Sequence, residues 1–177
     1  VSMNHVLAQV YENKVVNNKQ KKAKIKEHSD KTKDMPLNAL MAFCTFYDNY
    51  QDGKFTEHAP KIKKSKEDPY GYDYGDTTAL TTLRFRLKPI VNDDTLAKQF
   101  DIVLYPNSMF LMSLNTNRLY THEIVPPRLP VDKIPTRLGY VIRCSSTPAV
   151  HKDGKTYIVR DDKVKELVKP TQKDLDE

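Results

Sequence analysis

The feature that most limits the fold is an alternation with a period of two. Leu83, Phe85 and Leu87 alternate with Thr82, Arg84 and Arg86. Successive side chains on a strand point to opposite faces, so one face of this segment packs and the other carries two guanidinium groups. Apolar or β-branched runs of strand length recur at 6–11, 39–47, 100–104, 108–114, 118–124, 137–144 and 156–160. Turn formers divide them: Asp34 to Asn38, Tyr105-Pro106-Asn107, Asn115-Thr116-Asn117, and Val125 to Pro135 with four of the eleven prolines. Asn13 to Lys22 is polar and reads as a loop. The order holds no βαβ alternation. Eight or nine strands in sequence predict an all-β antiparallel sandwich or barrel of the double-sheet type. A short C-terminal helix is expected from Asp161 to Val168, its aspartate pair suited to a helix N-terminus.

A chain of 177 residues suffices for one domain with a single core. The division expected is a domain over 1–160, interrupted by an insertion at about 48–78, and a charged helix or tail over 161–177. Lysine and arginine number 29 against 23 acids, a formal charge of +6. The tail carries six acids and four lysines, so the remainder stands at +8. That excess suits a polyanionic partner such as DNA or RNA, and it equally serves solubility. The insertion sets Lys61, Lys63, Lys64 and Lys66 among Tyr50, Tyr70, Tyr72 and Tyr74. Such a mixture can hold phosphates and stack bases, or remain disordered. Cys44 and Cys144 fall in apolar, strand-like runs and are expected as buried thiols. No disulfide framework is evident, which points to a reducing, intracellular setting, nuclear or cytoplasmic. No run reaches membrane-spanning length and no secretory signal is visible. A monomer is expected. Val1 is not an initiator methionine, so the chain is readable as part of a longer protein.

Chemistry concentrates in Glu27-His28-Ser29-Asp30-Lys31-Thr32. On an extended strand His28 and Asp30 share a face and could grip one cation. A third ligand must come from far along the chain, and His122 is the best candidate. Two histidines and one carboxylate on one face of an octahedron leave positions open, as non-haem Fe(II) oxygenases require. Upstream, Lys22, Lys24 and Lys26 alternate with Ala23 and Ile25. On a regular strand they share the side of His28, either as a basic ramp toward the metal or as protection of a sheet edge. Arg137 and Arg143 are six apart, an even spacing that puts both on one strand face. Paired guanidinium groups need a counter-anion, and a dicarboxylate supplies one through bidentate contacts.

Taken together, these pieces resemble the AlkB-like 2-oxoglutarate/Fe(II)-dependent dioxygenases. The resemblance lies in a strand ending Val10-Tyr11, Ile25-x-Glu27-His28-Ser29-Asp30-Lys31-Thr32, and Leu83-Arg84-Phe85-Arg86-Leu87-Lys88. It continues through Pro106-Asn107-Ser108-Met109-Phe110-Leu111-Met112, Thr116-Asn117-Arg118-x-Tyr120-x-His122 and the arginine pair, covering about residues 4–145. It implies a double-stranded β-helix (jelly-roll) core. Its metal ligands would be His28, Asp30 and His122, and Arg137 would meet the distal carboxylate of 2-oxoglutarate. Arg143 and Tyr11 would help hold that cosubstrate. Thr32, Arg84 and Arg86 would lie toward the substrate. The implied reaction couples decarboxylation of 2-oxoglutarate with O2 to hydroxylation or oxidative demethylation of a modified base in nucleic acid, as in DNA repair. The same chemistry on a protein side chain or small molecule is one alternative. A catalytically silent nucleic-acid-binding module is another.

The chain departs from the repair members of that family at four places. Gly139 and Val141 stand where an asparagine and a threonine separate the arginines. Gln9 stands for the asparagine two before the tyrosine, and Thr32 for an acid near the base. Few residues precede the first strand, where the nucleotide-recognition lid of the family usually lies.

Overall fold

The computed structural model describes residues 3–48, 77–160 and 163–169, with the strand pieces 50–51, 54–55 and 73–74. The chain opens with β1 (His5–Tyr11), β2 (Lys14–Val16), β3 (Lys19–Lys21), β4 (Ile25–His28) and β5 (Leu40–Tyr47). Four two-residue strands follow: β6 (Tyr50–Gln51), β7 (Lys54–Phe55), β8 (Asp73–Tyr74) and β9 (Thr77–Thr78). Then come β10 (Thr82–Leu87), β11 (Gln99–Val103), β12 (Ser108–Ser113), α1 (Leu114–Leu119), β13 (Tyr120–Val125) and β14 (Arg137–Arg143). The last strands are β15 (Ala149–Lys152), β16 (Lys155–Arg160) and β17 (Lys163–Leu167).

Two four-stranded antiparallel sheets carry the fold, ordered β1-β14-β5-β12 and β11-β10-β13-β4. Alternation along each strand sends one set of side chains between them. Met41 and Met112 from the first sheet meet Leu83, Phe85, Tyr120 and Ile124 from the second in one buried cluster. Phe85 is fully buried and stacks on Phe100 with ring centroids 4.7 Å apart. The outer face of the first sheet is also apolar and leaves Val6, Val10, Met109 and Leu111 more than half exposed. Among the described residues no helix is long and apolar enough to cross a membrane.

Several local expectations change. The segment 14–21, read as a loop, is a hairpin whose turn residues Asn17 and Asn18 have φ of 51° and 58°. Asparagine tolerates that left-handed backbone, which a two-residue hairpin turn demands. Asn115-Thr116-Asn117, read as a turn, is the middle of α1. Ser113 caps it, its Oγ accepting the Thr116 N–H at 3.1 Å. The C-terminal helix is not formed: Lys163–Leu167 is a strand paired with β16. Its Lys-Val-Lys-Glu-Leu order offers only one β-branched residue, and pairing with β16 decides the outcome. The boundary at 160 therefore falls inside a hairpin. The lysines of the insertion, and the side chains of its tyrosines, lie outside the described residues. Cys44 and Cys144 are free thiols, half-buried and buried.

Phe85 joins the two sheets and also supports the floor of the cavity described next. Phe85→Ala is expected to destabilise the chain by about 3–5 kcal/mol, measured by urea unfolding. A loss under 1 kcal/mol would mean that the sheets do not share this core.

Candidate metal centre

The site forms where β4 and β13 lie side by side. In β13, Tyr120, His122 and Ile124 face the core while Thr121 and Glu123 face outward. His122 pairs across the sheet with His28, and Ile124 pairs with Ile25. Three residue steps on β4 thus oppose two on β13, which is a β-bulge. Lys26 and Glu27 together oppose Glu123, so Ile25 and His28 both turn inward. The expectation that the lysines share the side of His28 is overturned by that extra residue. The two imidazoles come to 4.5 Å between centroids.

Asp30 follows the strand end and completes the cluster. Its Oδ1 lies 3.8 Å from His28 Nε2 and its Oδ2 lies 3.8 Å from His122 Nε2. One ligand atom from each of the three residues lies within 4.8 Å of the others. The His28 Nδ1 sits 2.9 Å from the Lys26 carbonyl. Donation there fixes the tautomer that leaves Nε2 free for a cation, the usual device behind a metal-binding histidine. Asp30 itself is clamped by Asn117. The Asp30 N–H donates to Asn117 Oδ1 at 3.0 Å, and Asn117 Nδ2 donates back to the Asp30 carbonyl at 3.1 Å. Asn117 is buried on α1, so the helix that replaces the expected turn holds the carboxylate in place. The cap signature Ser113-x-x-Thr116 was the signal for that helix.

Burial holds His122 well below its ordinary pKa of 6.5, at about 4. The neighbouring Asp30 carboxylate opposes this, while His28, Arg143 and Lys88 add to it. His122 is therefore neutral at pH 7, the form that ligates a metal.

The facing wall comes from β14 and β1. Arg137, Gly139, Val141 and Arg143 line the same cavity of about 150 Å³, with Tyr11 and Gln9 from β1. Arg143 Nη2 donates to Asp30 Oδ1 at 3.1 Å, so this arginine touches the aspartate of the cluster. Arg137 is 4% exposed, and its guanidinium lies 3.8 Å from the Tyr11 ring centroid. Among the described residues no carboxylate pairs with it, and its Nε and Nη2 are buried without partners. Asp30 Oδ2, His122 Nδ1 and Arg143 Nε are buried and unpartnered as well. Gly139 is part of this cradle. A Cβ there would come within 2.9 Å of Arg137 Nη1 and 3.2 Å of Tyr11 Cε2. A glycine inside a strand often marks such a close approach, and that was the available signal. Tyr11 Oη donates to Gln9 Oε1 at 2.9 Å.

The three residues expected toward the substrate do not reach the cavity. Arg84 and Arg86 sit on the outer face, opposite Leu83 and Phe85. Arg84 pairs with Asp101 at 2.8 Å, and Arg86 pairs with Glu27 and Glu123 at 2.7 Å each. Thr32 lies in the turn after Asp30, its carbonyl taking the Met35 N–H.

Two measurements test this geometry. Asn117→Ala is expected to weaken metal binding by roughly 10–100-fold, as loss of an outer contact to a ligand usually does. Titration with Mn(II) or Co(II) would read it, and unchanged affinity would free Asp30 from dependence on the clamp. The second concerns acid. An unfolded imidazole takes its proton near 6.5, whereas His122 resists until about 4. Between those values the unfolded chain binds more protons, so stability falls as pH falls. The metal-free protein is expected to lose up to about 3 kcal/mol across that window through this residue. His122→Gln should remove that component of the slope in urea titrations, and an unchanged slope would contradict a neutral buried ring.

No protein-family model matches the chain, and no curated protein sequence matches it either.

Proposed function

We propose that this chain is an Fe(II)- and 2-oxoglutarate-dependent dioxygenase acting on a modified base in nucleic acid. Its fold, on this reading, is a double-stranded β-helix. The order of strands supports this, since the chain changes sheet between β1 and β4, β4 and β5, β5 and β10, β11 and β12, β12 and β13, and β13 and β14.

The observation that carries the reading is the buried, unpaired Arg137 in the cavity of the His28–Asp30–His122 cluster. Taking an ion out of water costs several kcal/mol after relaxation. Stacking on Tyr11 returns only about 2 kcal/mol. The shortfall calls for an anion, and the guanidinium fork matches a carboxylate. A ligand with a carboxylate at one end and metal-binding oxygens at the other spans both features, and 2-oxoglutarate has that chemistry. The donor set fits Fe(II) in turn, since two imidazoles and one carboxylate leave room for a chelating keto acid and dioxygen.

Each residue then has a task. His28, Asp30 and His122 would hold the metal. Arg143 orients Asp30 and offers its remaining N–H to the cosubstrate. Arg137, stacked on Tyr11, receives the distal carboxylate, and Gly139 leaves the space for it. Phe43, Leu83 and Leu104 dry the cavity and strengthen these contacts. When bound, iron with 2-oxoglutarate and O2 supplies oxidation of a substrate C–H bond, which on an N-methyl group ends in loss of formaldehyde. Base as substrate rests on the basic balance of the chain.

An anaerobic titration with ferrous iron and 2-oxoglutarate tests this directly. A visible charge-transfer band is expected, absent from His28→Ala. Arg137→Ala and Gly139→Ala should each raise the 2-oxoglutarate requirement roughly 10–100-fold, the value of a hydrogen bond to a charged group. Folded variants with an unchanged requirement would rule out this cosubstrate pocket.

A further inference from the structure

The bulge that turns His28 into the cavity turns Lys26 out of it. On the outer side of β4 and β13 runs a groove of about 550 Å³, distinct from the cavity and adjoining it. Five basic side chains line it, Lys22, Lys24, Lys26, Arg84 and Arg128, against the acids Glu27 and Glu123. Both acids are engaged by Arg86 at 2.7 Å, and Thr121 also donates to Glu27 at 2.7 Å. Arg84 is engaged by Asp101. Lys22 is tied to the wall, its Nζ donating to the Pro127 carbonyl at 2.8 Å. Lys24, Lys26 and Arg128 are exposed, and among the described residues no acid pairs with them.

We infer that this groove is the track for the phosphate backbone of a nucleic-acid strand, laid so that an unpaired base enters the metal cavity. The inference rests on the function proposed above and says where its substrate lies. Three features carry it. The two acids of the groove are held by Arg86, and the three free cations outnumber them, so a positive balance faces whatever occupies it. Ile25 and Ile124 line the groove and the cavity alike, which makes the two spaces neighbours through one wall. The side chain of His28, which lines the cavity, is 39% exposed. A strand held by its phosphates along β4 would run beside the open edge of the metal cluster. A base inside a duplex cannot reach a cavity between two sheets, so the strand must be single or the base flipped.

The test pairs two triple variants with equal change of charge. Lys24→Glu/Lys26→Glu/Arg128→Glu alters the groove. Lys152→Glu/Lys163→Glu/Lys165→Glu alters exposed lysines of the β15–β17 sheet. Binding of a labelled single-stranded oligonucleotide is followed by fluorescence anisotropy over a range of salt. The groove variant is expected to bind at least tenfold more weakly, with the slope of log K against log salt reduced by about two. The control variant should lose less than threefold. The charge-transfer band with iron and 2-oxoglutarate should survive in both.

Equal losses in the two variants would overturn the groove, as would no loss in either. So would a wild-type chain that gives the band yet binds no oligonucleotide, or that uses these three residues only for phosphatidylserine vesicles. Absence of the band in the wild type, with oligonucleotide binding lost only in the groove variant, would instead overturn the dioxygenase reading and keep the groove.

Discussion

A single carboxylate, Asp30, ties this molecule together. It faces two imidazoles, takes a hydrogen bond from Arg143 and is held by its own backbone to Asn117. Each partner comes from a different element: β4, β13, β14 and α1. A carboxylate whose side chain is only 9% exposed is stable there only while the Arg143 contact stays in place, because an orphaned charge in a dry site is costly. The packing of the two sheets therefore also fixes the electrostatics of the site. Phe85 and Phe43 lie about 6 Å from the His122 ring and so belong to the core and the site at once.

The opposite wall of the cavity follows a different rule. There the chain keeps a cation buried without an acid of its own. Tyr11 covers one face of the Arg137 guanidinium, and Gly139 declines to fill the space beside it. A protein optimised for stability alone would place a carboxylate or an aliphatic side chain here. On the proposed reading, leaving the charge unmatched trades stability for affinity toward an anion from outside.

Strand alternation made much of this legible in advance. The even spacing of Arg137 and Arg143 put both on one face, and the clean alternation of β13 turns His122 inward. The sandwich followed from the same period. What escaped notice depended on partners or on single extra residues. Lys163–Leu167 becomes a strand because β16 offers an edge, which no local propensity reveals. Asn117 looked like a turn former, and its role exists only because Asp30 lies against it. Arg84 and Arg86 look available in the sequence, but Asp101, Glu27 and Glu123 consume them from distant positions. Gly139 looked like a lost polar contact beside the arginines, and the close approach of Tyr11 gives it a spatial purpose.

The bulge in β4 has an effect on how this chain can change over time. A substitution at Lys26 or Glu27 alters one outward side chain. Deleting either residue would restore a regular ladder and swing Ile25 or His28 to the wrong side of the sheet. Length between those two positions is thus less negotiable than identity, and lineages that keep the cavity-facing imidazole should drift in letters there without drifting in number.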